Sequence, residues 1–158
     1  MPFAPLADEV VIRWLLEREL ATDEPNARRI ARAAEGSLDR ANTMLVPELW
    51  QLQEDVVRSL GRPNPDSPAV AEAILRFVQE TSKDAGPKRE AALAILGLVV
   101  DHYRELLRRE PESPVAQSWM ASVDRSMEAE FQVARNVNLP NVLQAWADDL
   151  ARLGRQAV

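Results

Sequence analysis

Four pairs of adjacent carboxylates are the groups in this chain that could do acid–base chemistry: Asp8-Glu9, Asp23-Glu24, Glu54-Asp55 and Asp148-Asp149. That chemistry needs two carboxylates converging on one pocket, with at least one pKa displaced. Neighbours on a helix diverge by about 100°, so no pair converges by itself. Acids in a first helical turn are also expected from the helix dipole. These pairs read as solvated surface. The one histidine, His102, follows Asp101. A histidine base needs an oriented nucleophile, and the chain has no Cys and no Gly-x-Ser-x-Gly elbow. His102 therefore reads as structural or surface. Without cysteine there is no thiolate metal site, and a single histidine does not make an imidazole-based metal cluster. Five glycines, none at phosphate-loop spacing, leave no nucleotide cradle. No catalytic residue, cofactor, metal or small-molecule substrate is expected.

Charge excludes a further class. Net charge is −6, with 6 basic and 8 acidic residues over 1–46 and 13 and 17 over 47–158. Neither part attracts a phosphate backbone at long range. The four tryptophans, Trp14, Trp50, Trp119 and Trp146, lie in helical patterns rather than beside a basic groove. They read as core or protein interface, not as stacking platforms for single-stranded nucleic acid. Trp119 and Trp146 are the interface candidates. No apolar run approaches the roughly 20 residues of a membrane span. The N-terminus lacks the basic region and apolar stretch of a signal peptide, so the expected compartment is the cytoplasm. Met1-Pro2-Phe3-Ala4-Pro5-Leu6 starts abruptly in extended chain, as a segment of a longer protein would.

The elements around these residues are helical. Val11 and Leu15, then Ile12, Leu16 and Leu20, step by four. Ala92, Ile95, Leu96, Val99, Tyr103, Leu106 and Leu107 form a long stripe, and Trp119, Val123, Met127 and Phe131 another. Alternating strand patterns are absent. Asp23-Glu24-Pro25, Ser67-Pro68 and Ser113-Pro114 each place a capping residue ahead of a first-turn proline. Asp84 is the expected cap at Ala85-Gly86-Pro87, and Asn138 with Pro140 begins the last helix. The expected helices run over 7–20, 24–35, 37–45, 47–60, 68–81, 85–109, 114–135 and 139–154. The fold is all-α, with a three-helix domain over 1–46 and a five-helix bundle over 47–158.

Two punctuation points stand out. At Glu35-Gly36-Ser37-Leu38 one helix ends on a glycine able to take a left-handed conformation, and Ser37 caps the next. At Asn136-Val137-Asn138, asparagine supplies both a helix stop and an N-cap.

Taken in order, four segments resemble the C-terminal half of bacterial DNA polymerase III clamp-loader subunits, most closely the delta-prime subunit. Phe3-Ala4-Pro5-Leu6 and the helix after it look like the passage from an AAA+ ATPase core into its lid. Ala31 to Leu45 looks like the lid's Gly-Ser corner. Phe77-Val78, Asp84 to Glu90 and Leu98 to Leu107 look like the central helices of the collar. Asn136-Val137-Asn138 with Val142-Leu143-Gln144-Ala145-Trp146 looks like the turn into its final helix. The sequence departs from that turn at Gln144, where the family often has Glu, and at Asn141, where a more apolar residue is usual. In motor subunits a nucleotide-sensing arginine follows the Gly-Ser-Leu directly. Here Asp39 holds that place and Arg40 comes one residue later, about 100° around the helix.

The resemblance implies a non-catalytic lid over 1–46 and an oligomerising collar over 47–158. It implies partners among the gamma/tau and delta loader subunits, with the sliding clamp and DNA reached only indirectly. The alternative is a helical ligand-binding or dimerisation domain of a regulator, with tryptophans lining a pocket between helices. An enzyme ranks third, for want of a nucleophile, metal ligands or a phosphate loop.

Overall fold

The computed structural model describes residues 4–157, and the first three residues of the expected extended start lie outside that range. The described chain is all-α, with eight helices. It divides into two compact units, 1–50 and 51–158.

The first unit contains α1 (Asp8–Glu17), α2 (Glu24–Ala34), α3 (Leu38–Thr43) and the first residues of α4 (Pro47–Leu60). Helix α2 starts where a cap and a proline coincide. The Asp23 carboxylate accepts from the Asn26 N–H at 2.8 Å, and Pro25 sits in the first turn. Its inner face is built of Ala27, Ile30, Ala31 and Ala34, against which α1 presents Val11 and Leu15. Small side chains at these positions let helix backbones approach closely. Trp50 closes the unit: its indole N–H donates to the Met44 carbonyl oxygen at 2.9 Å, and the Arg29 guanidinium lies 4.0 Å from its ring centroid.

Helix α1 stops short of the expected residue 20. Glu19 adopts φ 54°, and the Leu20 and Glu19 N–H groups bond to the Leu15 and Leu16 carbonyl oxygens at 2.9 and 3.1 Å. This is a left-handed helix stop made without glycine, so composition carried no sign of it.

The second unit contains the rest of α4, then α5 (Ser67–Thr81), α6 (Ala85–Arg109), α7 (Ala116–Ala134) and α8 (Leu139–Gln156). Helix α6 packs on α5 and α7, and α8 packs on the same two. Each of the four therefore touches two neighbours, which makes a four-helix bundle. The end of α4 meets α8, where a Cβ on Gly154 would lie 3.4 Å from the Leu60 carbonyl oxygen. Ile74, Val78, Ile95, Leu96, Val99, Leu143, Trp146 and Leu150 fill the centre. Each large apolar side chain of this kind contributes about 1.5–3 kcal/mol on burial.

Some helix starts differ from expectation. The expected cap Asp84 makes no side-chain cap hydrogen bond at the start of α6. The cap of α5 is Asp66, accepting from Ala69 N–H at 3.0 Å, while the Ser67 hydroxyl donates to Asp148 across to α8. Asp66 is the better acceptor and sits one residue earlier, which frees Ser67 for the tertiary bond. Helix α7 begins at Ala116 rather than 114, because Ser113 and Pro114 form a turn ahead of it in which Ala116 N–H bonds to the Ser113 carbonyl.

One partly buried ion pair ties α7 to α8. The Arg125 side chain is only 14% exposed and its Nε lies 2.6 Å from Asp149 Oδ2. Asp149→Ala leaves that guanidinium without its main carboxylate, since Glu128 is 3.9 Å away. The expected loss is about 1–3 kcal/mol in urea unfolding, with Arg125→Met/Asp149→Leu less harmful than the single change.

Candidate interaction surface

The Gly36-Ser37 corner is a three-residue reversal. Helix α2 ends at Ala34, and both Glu35 (φ 50°) and Gly36 (φ 80°) take left-handed conformations. Ser37 then caps α3, its hydroxyl oxygen accepting from the Arg40 N–H at 3.2 Å. The extended Pro5-Leu6 segment crosses directly over Gly36, and the Leu6 N–H bonds to the Gly36 carbonyl oxygen at 3.1 Å. An open cleft of about 460 Å³ lies at this crossing, lined by Pro5, Leu6, Glu35 and Leu38 among others.

Asp39 is exposed on the first turn of α3. Arg40 Nη1 lies 2.8 Å from Glu35 Oε2, so the arginine reaches back across the corner instead of outward. Both side chains are more than a third exposed. Arg40→Ala is therefore expected to change stability by less than about 1 kcal/mol, read as a small shift in the urea midpoint.

The asparagine turn uses both residues as helix punctuation. Asn136 has φ 62° and closes α7, with Val137 N–H bonding to the Gln132 carbonyl oxygen at 3.2 Å. Asn138 caps α8 by accepting from the Asn141 N–H at 3.1 Å. Arg89, from the first turns of α6, donates to the Asn136 side-chain oxygen and so holds the turn against α6.

The two tryptophans proposed for an interface have different fates. Trp146 is fully buried and its indole N–H donates to the Ser126 hydroxyl oxygen at 2.9 Å. It is a core residue and cannot be an interface residue. Its register fell on the inward face of α8, beside Val142, Leu143 and Leu150. Trp119 is half-buried on α7.

The outward apolar face of this unit lies elsewhere. Along Trp119, Val123, Met127 and Phe131 each four-residue step advances the side chain by about 40°, so three steps carry it about 120° around the helix. The stripe turns from the core toward solvent: Val123 is 9% exposed, Met127 44% and Phe131 56%. Met120, seven residues before Met127 and eleven before Phe131, falls on the same outward line and is also exposed. Sequence reading missed Met120, though its spacing of 7 and 11 was there to be counted. The face carries two cations: Arg104 Nη2 lies 3.7 Å from the Met127 sulfur, and the Arg135 guanidinium lies 4.2 Å from the Phe131 ring centroid.

His102 and Tyr103 pack edge to face on α6. Burial lowers the His102 pKa, and Arg109 lowers it further. Burial raises the Tyr103 pKa to about 12, against a smaller opposing effect of its hydrogen bond with Ser122. A histidine depressed in the folded state leaves the unfolded chain binding more protons. Its contribution is complete above the unfolded value near 6.5 and is lost as pH falls. Unfolding free energy should therefore drop between pH 7.5 and 5.5, and His102→Gln should flatten that slope. Tyr103 acts at the other end: its contribution holds below pH 10 and is lost as pH rises toward 12. Urea titrations across both windows check these signs.

Among the described residues no three or more His, Cys, Asp or Glu side chains are grouped to hold a metal ion, and no helix is long and apolar enough to cross a membrane. Comparison of the chain with protein-family models, curated proteins and solved structures finds no match.

Proposed function

We propose that this chain is the lid and collar of a delta-prime-type subunit of a bacterial DNA polymerase III clamp loader, a non-catalytic part that holds subunits together. The corner at Glu35–Arg40 supports the reading most directly. A carboxylate, Asp39, occupies the place where a motor subunit has its sensing arginine, and Arg40 is tied back to Glu35. An anion facing phosphate groups is repulsive, so this corner keeps a lid's shape without a nucleotide contact.

In this reading the bundle associates with the gamma/tau and delta subunits, and reaches the sliding clamp and DNA only through them. The exposed α7 face supplies apolar area, with Arg104 and Arg135 beside it to orient a partner. The regulator alternative needs tryptophans on a pocket wall, and Trp146 is sealed in the core.

Mixing the chain with gamma/tau and delta subunits should give a complex that co-elutes in size-exclusion chromatography. Met127→Glu and Phe131→Glu, both at exposed positions, should each weaken it at least about tenfold while leaving the circular dichroism unchanged. Failure of the wild-type chain to co-elute would sink the reading.

A further inference from the structure

We propose that the cavity between the start of α6 and the α7–α8 turn binds a short acidic peptide, one carboxylate beside one apolar side chain. This goes beyond the loader reading and does not depend on it. The cavity has a volume of about 260 Å³ and is lined by Ala85, Lys88, Arg89, Val133, Asn136, Val137 and Leu139. Ligand sites for drug-sized molecules span about 300–1,000 Å³, so this one suits an anchor of one or two side chains.

Its chemistry is divided. On one side stand two cations, Lys88 and Arg89, both half-buried. Arg89 spends one edge of its guanidinium on the Asn136 side-chain oxygen, and its remaining N–H groups are left for a second acceptor. Lys88 has no ion pair among the described residues. Opposite them stand Val133, Val137 and Leu139, of which Val137 is 47% exposed. The acids nearest in sequence, Asp84 and Glu90, are exposed and do not line the cavity. A carboxylate fits the cations, since an arginine fork and a lysine each give charge-assisted hydrogen bonds. The apolar wall selects an organic acid over an inorganic anion, which has no carbon surface to bury there. A net charge of −6 argues against a nucleic-acid backbone, a long polyanion that would be repelled beyond the cavity.

The α7–α8 turn gives the cavity its floor. Asn136 is left-handed there, Val137 and Leu139 join it in the lining, and Arg89 donates to the Asn136 side-chain oxygen. The residues that end one helix and begin the next thus build the site as a by-product of the reversal.

The probe is the acetylated, amidated peptide Leu-Asp-Leu-Glu, titrated into the ¹⁵N-labelled chain and followed by amide chemical shifts. Saturable shifts are expected at Ala85, Lys88, Arg89 and Val137. The uncharged peptide Leu-Asn-Leu-Gln should bind at least about tenfold more weakly, as should the original peptide to Lys88→Glu. Lys83→Glu makes the same charge change outside the lining and should bind nearly as wild type. Shifts scattered over the surface, or equal weakening by Lys83→Glu and Lys88→Glu, would overturn the proposal. Inorganic phosphate binding the same amides as tightly as the peptide would also overturn it, because the apolar wall would then add nothing.

Discussion

Trp146→Ala should be the most damaging single change in the bundle, costing about 3–5 kcal/mol. The indole is fully buried, on the inward face of α8. Removing it leaves a cavity that the surrounding helices can only partly close. It also strands the Ser126 hydroxyl, itself completely buried, without the N–H it accepts from. At about 4–8 °C per kcal/mol for a domain near this size, the melting temperature should fall by well over 10 °C. Trp146→Phe separates the two causes. It keeps most of the ring volume and loses the hydrogen bond, so about 1–2 kcal/mol is expected. Trp119→Ala is the control, because that ring is half-buried and should cost clearly less. Equal losses at the two positions, measured by urea unfolding, would show that Trp146 is not the centre of the core.

Gly36→Val should disorganise the first unit. Three effects act together. The residue sits at φ 80°, where a β-branched side chain is strained by about 1–3 kcal/mol. A Cβ there would lie 2.6 Å from the Leu6 nitrogen and oxygen and 2.7 Å from Pro5 Cβ. The Pro5-Leu6 segment would have to lift away, breaking the Leu6–Gly36 hydrogen bond. Backbone atoms cannot yield as a flexible side chain would, so relief must come from opening the corner. Hydrogen exchange read by mass spectrometry should show faster exchange over 24–45, with protection over 85–109 retained. Ser37→Ala removes only the cap and should cost about 1 kcal/mol. If Gly36→Val exchanged no faster than Ser37→Ala, the close crossing of Pro5-Leu6 over the corner would be wrong.

The two changes show where sequence reasoning reached and where it stopped. All eight helices were legible, because caps, first-turn prolines and apolar spacing are local signals. Asp23 before Pro25 and Asn138 before Pro140 mark their helices by bonds that span only three residues. Helix ends were less legible. Glu19 and Glu35 both take left-handed conformations that their residue type does not advertise. At the asparagine turn the residue type did advertise it.

By itself, the sequence determined an all-α chain with no cysteine and no glycine run at phosphate-loop spacing. It also placed Asp39 and Arg40 in their order after the Gly-Ser corner. Only the tertiary structure decided which side of each helix is inside. Periodicity defines a face but not its width. A four-residue step drifts about 40° per repeat on a helix of 3.6 residues per turn, so one stripe can begin in the core at Val123 and end in solvent at Phe131. It also decided that Trp146 is core and that Arg40 spends its charge on Glu35. Those outcomes depend on neighbours distant in the chain or across a turn, whose positions no local spacing encodes.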